Sequence, residues 1–155
     1  MLPRPGKPGL FLRVAFQPAR LQAWCMSAQT RTARCSCGQL QVQCSGEPDK
    51  VSVCHCTECQ RRTGSAFGVA VFFPKDAATI TGGSRTYERL GDSGLSLRHH
   101  FCPNCGSTVF WYPGRRPDHI AIALGSFADP TFPVPSQSVY QESRHPWVTL
   151  DLTAR

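Results

Sequence analysis

Seven cysteines stand in three short clusters whose spacing suits metal ligation: Cys35-x-Cys37, Cys54-x-Cys56-x-x-Cys59 and Cys102-x-x-Cys105. A Cys-x-x-Cys turn aims two thiolates at one point, and zinc accepts four such ligands in a tetrahedron. The backbone N–H groups that follow help to stabilise the thiolate charge. In Cys102-Pro103-Asn104-Cys105-Gly106 the glycine permits the left-handed backbone that such a turn needs. The chain holds nine cysteines, an odd number that cannot all pair internally. Short clusters read as metal knuckles rather than as the disulfide frame of a secreted protein. The expected setting is a reducing, cytoplasmic one.

A closed structural site needs four ligands, and the clusters divide in two ways. In the first, Cys35 and Cys37 join Cys102 and Cys105, which leaves Cys54, Cys56 and Cys59 together. In the second, two of the latter three join Cys102 and Cys105 and the rest stay free. The first leaves no clustered thiol without a metal, and it implies two Zn²⁺ per chain. One loop is compact enough to place Cys54, Cys56 and Cys59 round one ion. A three-ligand zinc keeps an open position, as catalytic sites do. There a bound thiol or water loses its proton near neutral pH, and a carbonyl is polarised. A four-cysteine site, in contrast, predicts only stability. It would tie residue 35 to residue 105 across a short β domain.

The elements that must position these cysteines read as β-rich from Arg34 onward, with little helix. Leu40, Val42 and Cys44 alternate with glutamines, which predicts a half-buried strand with Cys44 as a small buried hydrophobe. Residues 45–49 form a turn, and Val51 and Val53 lead into the triple cluster. Residues 57–65 are polar and fit a short helical turn. Residues 67–73 read as a buried strand ended by Pro74. Gly82-Gly83 marks a turn before a strand near Tyr87. Leu95, Leu97 and His99 alternate up to the last knuckle. Residues 108–112 and 119–124 are two more strands. Residues 129–146 carry four prolines and are expected to be extended loop.

The remaining side chains have bland readings first. Arg61 and Arg62 follow the triple cluster and could meet a carboxylate, though solvated surface charge is the default. His55, between two ligand cysteines, could be an acid–base group or a fourth ligand; facing away from the metal is the preferred reading. One of His99 and His100 should face the core and the other solvent. Phe67, Phe72, Phe73, Phe110, Trp111 and Trp147 are assigned to core packing, with a pocket lining as the alternative for all but Trp147. Glu58 is read as a surface residue and Cys25 is given no role.

The formal charge of +7 on 155 residues hints at nucleic acid, but its distribution argues otherwise. Residues 1–34 carry +6 and no acid, while residues 35–155 carry +1. The motif-bearing body is near neutral, so a nucleic-acid partner is not expected. No apolar run is long enough to cross a membrane as a helix. Residues 1–30 are expected to be a disordered extension, or in part untranslated with Met26 as the true start, in preference to a targeting segment.

Together the motifs resemble a known family. Cys35-Ser36-Cys37-Gly38, the run from Cys54 to Gly64, and Phe101-Cys102-Pro103-Asn104-Cys105-Gly106 are similar to the glutathione-dependent formaldehyde-activating (GFA) / centromere protein V family. Residues 125–130 and Arg144-His145-Pro146-Trp147 add to the likeness, which covers roughly residues 31–150 as one zinc domain. The resemblance implies an Mss4-like (β-tent) fold of coiled antiparallel sheets stapled by zinc. It also implies a structural zinc at Cys35, Cys37, Cys102 and Cys105, and a catalytic zinc at Cys54, Cys56 and Cys59. The namesake reaction condenses formaldehyde with glutathione to S-hydroxymethylglutathione, a carbon–sulfur lyase reaction in the family's classification. Ala128 stands where the family commonly has an acid, and Ser138 where it commonly has a histidine. Both departures bear on the substrate and leave the metal ligands untouched.

The expected partners are a small thiol such as glutathione and an aldehyde. The competing class is a non-catalytic structural or interaction module. A zinc ribbon pairs knuckles about 15–20 residues apart, whereas 42 residues separate Cys59 from Cys102.

Overall fold

The computed structural model describes residues 29–153. The expectations for the basic tail, Met26 and Cys25 lie outside these residues. The chain is mainly β with little helix, as its residue pattern predicts. Strands β1 (Thr30–Arg34), β2 (Gln41–Ser45) and β5 (Ala78–Thr81) form a three-stranded antiparallel sheet in the order β1-β2-β5. A second, seven-stranded sheet comprises β3 (Lys50–Cys54), β4 (Gly68–Pro74), β6 (Arg85–Leu90), β7 (Ser96–Phe101), β8 (Thr108–Pro113), β9 (His119–Ala123) and β10 (Gln137–Val139). Its order is β10-β3-β4-β9-β8-β7-β6. Every neighbouring pair in it is antiparallel except β10 with β3, which runs parallel. The one α-helix among the described residues, α1 (Thr57–Thr63), follows the triple cysteine cluster.

Alternation explains which faces are buried. Leu40, Val42 and Cys44 are fully buried, as are Val71, Phe73, Val109 and Ile122. They belong to one apolar core shared by the two sheets. Each such Val, Ile, Leu or Phe contributes about 1.5–3 kcal/mol on burial. Residues 67–73 depart from the expected fully buried strand. Val71 and Phe73 are buried in the core and Val69 packs against it, while Gly68, Ala70 and Phe72 line a cavity on the other face.

Three strands escaped the sequence reading. β1 is short and polar on one face, and only Ala33 is buried. β5 and β10 span four and three residues and are held by their partner strands rather than by any pattern of their own. β10 interrupts the segment expected to be loop. Gly82, at the expected turn, has φ +85°, and a Cβ there would lie 1.8 Å from the carbonyl oxygen of Gln39. No other residue fits at that position. Among the described residues, no helix is long and apolar enough to cross a membrane.

Candidate metal centres and the adjoining cavity

The loop after β1 carries Cys35 and Cys37, and the turn between β7 and β8 carries Cys102 and Cys105. The four Sγ atoms lie within 4.8 Å of one another. Two edges of this group, Cys35–Cys37 and Cys37–Cys102, are both 3.5 Å. Metal–sulfur bonds of about 2.3 Å in a tetrahedron put sulfurs about 3.8 Å apart, so four thiolates at these distances fit one metal ion. Backbone geometry fixes them. The Cys35 N–H donates to the Leu40 carbonyl at 2.9 Å, and the Leu40 N–H donates to Cys35 Sγ at 3.2 Å. The Gly106 N–H donates to the Cys102 carbonyl at 2.9 Å, with Gly106 at φ +74°. Ser36 and Ser107 join the two knuckles through their hydroxyls at 2.8 Å. Hydrogen bonding with the Ser107 side chain and backbone holds the Cys105 thiol down to about 5. Burial pushes Cys102 up to about 11.

The second cluster sits at the end of β3 and the start of α1. The Sγ atoms of Cys54, Cys56 and Cys59 also lie within 4.8 Å of one another, with Cys54 and Cys56 at 3.4 Å. Cys56 caps α1, and its sulfur accepts the Cys59 N–H at 3.4 Å. Gly64 ends the helix in the left-handed region, its N–H donating to the Gln60 carbonyl. Among the described residues, no fourth His, Cys, Asp or Glu joins this group. The hydrogen bond with Cys54, and then the charge of Arg62, bring Cys59 down to about 6. The Cys54 thiol is raised by the same hydrogen bond and by burial. Three thiolates at this spacing could hold a metal ion and leave one side open.

That open side faces a cavity of about 690 Å³ over the seven-stranded sheet. Its floor includes Ser52, Cys54, Gly68, Ala70 and Phe72, and Trp111 lies in its wall. Phe72 and Trp111 therefore line the cavity instead of belonging wholly to the core, because their strand face looks outward from it. Phe73 and Phe110 are core residues. Phe67 packs on His55 with ring centroids 5.7 Å apart and lines a second cleft, beside Cys35 and Cys105, of about 1070 Å³. Trp147 is 73% exposed, against the core assignment; its neighbour Val148 takes the buried place.

The structure separates the two arginines. Arg61 pairs with Glu58 at the surface. The Arg62 guanidinium lies 4.5 Å over the Trp111 ring and against Gly68, where a Cβ would come within 2.9 Å of its Nη2. Arg62 is thus a built part of the cavity wall and not a solvated charge. His55 is fully buried and faces away from the cluster, with Nε2 3.0 Å from the Ser138 hydroxyl. Burial and then Arg144 lower its pKa. His99 is buried and stacked on Trp111; burial, then Arg62, pushes it down to about 4. His100 is half-buried and stacks on Phe110 at 4.3 Å. Cys44 is buried with its thiol pushed up to about 12 by burial, a packing residue as expected.

Sequence reasoning missed Tyr140, Asp92, Lys50 and Arg115, all of which line the cavity. Tyr140 holds a left-handed backbone (φ 58°, ψ 47°), a conformation costly for a non-glycine residue. A hydrogen bond with Asp92 raises its phenol, as do burial and the nearness of Asp92, Cys54 and Cys56. Nothing local in the sequence marks Tyr140. Lys50 could have been found, since it lies two alternations before Cys54 on one strand face.

A mainly β domain carries one four-thiol group and one three-thiol group, the latter open to a cavity, and each group could hold a metal ion. The family of glutathione-dependent formaldehyde-activating enzymes matches residues 30–143, and the chain belongs to this family. A curated Penicillium rubens protein, whose name places it with these enzymes, is 23% identical over 126 residues. The match covers 70% of this chain and 65% of that protein, so the chain spans less than two thirds of its relative's length. A solved structure of a Rhodobacter sphaeroides protein aligns with a TM-score of 0.48 and 17% identity, covering 61% of this chain and 85% of that one.

Proposed function

We propose that the protein joins a small thiol such as glutathione to formaldehyde or a related aldehyde, and in the reverse direction acts as a carbon–sulfur lyase. The supporting observation is the contrast between the two clusters: four thiols close on themselves, while Cys54, Cys56 and Cys59 open on a cavity. In this reading each cluster holds zinc, two per chain, and Cys35, Cys37, Cys102 and Cys105 serve the fold. A zinc ion at the three-thiol group would keep a substrate thiol ionised near neutral pH.

The reaction forms a bond between sulfur and the aldehyde carbon. The carbonyl π electrons move to oxygen, which takes up the proton that the thiol gave up. The chain's own residues supply placement. Arg62 stands beside Cys59 and offsets the negative charge of three thiolates. Trp111 and Phe72 give the cavity an apolar wall. Tyr140 offers a hydroxyl at the cavity that remains protonated at neutral pH. A cytoplasmic, reducing setting belongs to the same reading, since it keeps the clustered thiols free to bind metal.

The test is a metal count per chain followed by titration with glutathione, with sulfur coordination watched by X-ray absorption, and a formaldehyde-condensation assay. Two zinc ions, one gaining a new sulfur ligand, with turnover, is the expected result. Two ions, no ligand exchange and no turnover would replace it with a structural module.

A further inference from the structure

A strand turns successive side chains to opposite faces, and β10 keeps this rule as far as Val139. Gln137 and Val139 line the cavity over the seven-stranded sheet, while Ser138 between them meets His55 Nε2. Continued alternation would send Tyr140 to the His55 side. The backbone departs from it: Tyr140 lies in the left-handed region at φ 58° and ψ 47°, and its side chain joins the cavity lining. Glycine would make the same turn into the 3₁₀ segment Gln141–Ser143 without steric cost. A tyrosine held there against its backbone preference points to a use for the phenol itself.

The surroundings of the phenol show what that use is. In the parallel pairing of β10 with β3, Val139 stands opposite Cys54, so Tyr140 directly follows the partner of a cluster thiol. Its hydroxyl feels the charges of Cys54 and Cys56, and it donates a hydrogen bond to Asp92. Asp92 lies in the turn between β6 and β7, and β6 and β10 are opposite edges of the sheet. The sheet curves until both edges border one cavity, where Tyr140 and Asp92 meet. Asp92 is exposed, so the pair connects the cavity to water. Other acid–base groups near the cluster are engaged elsewhere. His55 faces away, Glu58 pairs with Arg61, and buried His99 stacks on Trp111.

From this layout we infer that Tyr140 and Asp92 form a proton relay between solvent and a thiol held at Cys54, Cys56 and Cys59. The inference rests on the thiol reading above and deepens it. The S–H proton passes to the Tyr140 oxygen as the phenol's own proton passes to the Asp92 carboxylate and on to water. The electron pair of the S–H bond stays on sulfur, which becomes a thiolate. When that pair forms the C–S bond, the carbonyl π pair moves to oxygen and the relay runs backwards. Water protonates Asp92, Asp92 restores the phenol, and the phenol protonates the new hydroxyl. One proton leaves sulfur and one reaches oxygen, so the sum is balanced. Positioned acid–base groups of this kind contribute roughly 10²–10⁴-fold in rate.

The experiment mixes the full, metal-loaded chain with glutathione in weakly buffered solution, with a pH indicator and no aldehyde. A free thiol is mostly protonated at neutral pH, so binding as thiolate should release about one proton per chain. Stopped-flow absorbance gives the rate of that release. Tyr140→Phe should slow it at least about tenfold, with the amount released and the melting temperature unchanged. Asp92→Asn keeps a hydrogen-bond acceptor but cannot take the proton, and should slow release likewise. It also carries the test if Tyr140→Phe fails to fold, since Asp92 is exposed. Equal rates in wild type and variants overturn the inference. Glu142 lines the same cavity, and slowing by Glu142→Gln in place of the other two gives the role to Glu142 and overturns it too. A wild type that releases no proton with glutathione removes the thiol reading, and the relay with it. Prompt release that the variants slow, followed by no condensation once formaldehyde is added, keeps the relay and removes only the reaction.

Discussion

At the scale of single residues, two adjacent arginines show how position decides role. Arg61 reaches solvent and Glu58, and its loss should change stability by less than about 0.5 kcal/mol. Arg62 has a face on Trp111 and an edge on Gly68. A desolvated cation–π contact is worth about 1–2 kcal/mol, and lysine cannot reproduce the planar stack. Arg62→Ala should therefore lower the melting temperature and, under the proposed reading, raise the KM for glutathione, with Arg62→Lys recovering little of either. Thermal melts and steady-state kinetics on Arg61→Ala, Arg62→Ala and Arg62→Lys check this, and identical behaviour of Arg61→Ala and Arg62→Ala would refute it. The cysteine clusters were legible in the sequence because the spacing within each is local. The arginines were not, since what distinguishes them is the arrival of Trp111 from a strand distant in sequence.

At the scale of elements, the segment from Ser136 to Val148 straps the triple-cysteine loop in place. The His55 N–H donates to the Val139 carbonyl at 3.1 Å, and the Gln60 amide donates to the carbonyls of His55 and Ser143 at 2.7 and 3.0 Å. Ser138 supplies the partner of the buried His55 ring, whose Nδ1 has no partner among the described residues. Ser138→Ala would leave both ring nitrogens unsatisfied, at a cost of about 1–3 kcal/mol. Urea unfolding should show that loss, and amide exchange should quicken over residues 137–143; a change below about 0.3 kcal/mol with unaltered exchange would sink the strap's role. β7 was readable from the alternation of Leu97 and His99, and β8 from its run of β-branched and aromatic residues. β10 was not, because three residues between prolines carry no period, and the strand exists through its hydrogen bonds to β3.

At the scale of the whole molecule, the two clusters differ in what they connect. Cys54, Cys56 and Cys59 lie on β3 and α1, within one region of the seven-stranded sheet. Cys35 and Cys37 lie between β1 and β2 of the small sheet, while Cys102 and Cys105 lie between β7 and β8 of the large one. A metal held by these four cross-links the sheets and closes a loop of about 65 residues, worth about 4 kcal/mol in the chain-entropy picture. Total stabilities run to about 5–15 kcal/mol, so this link is a large share. Cys105→Ser, or removal of metal by a strong chelator, should cost several kcal/mol and release the small sheet first, with exchange quickening in β1, β2 and β5. Cys56→Ser should lose one metal ion and, under the proposed reading, turnover, yet keep a cooperative melt within a few degrees of wild type. Metal analysis, calorimetry and exchange on the two variants decide the matter: equal unfolding by both would mean that the clusters share the structural task, and the three-thiol group would lose its claim to be set apart for chemistry.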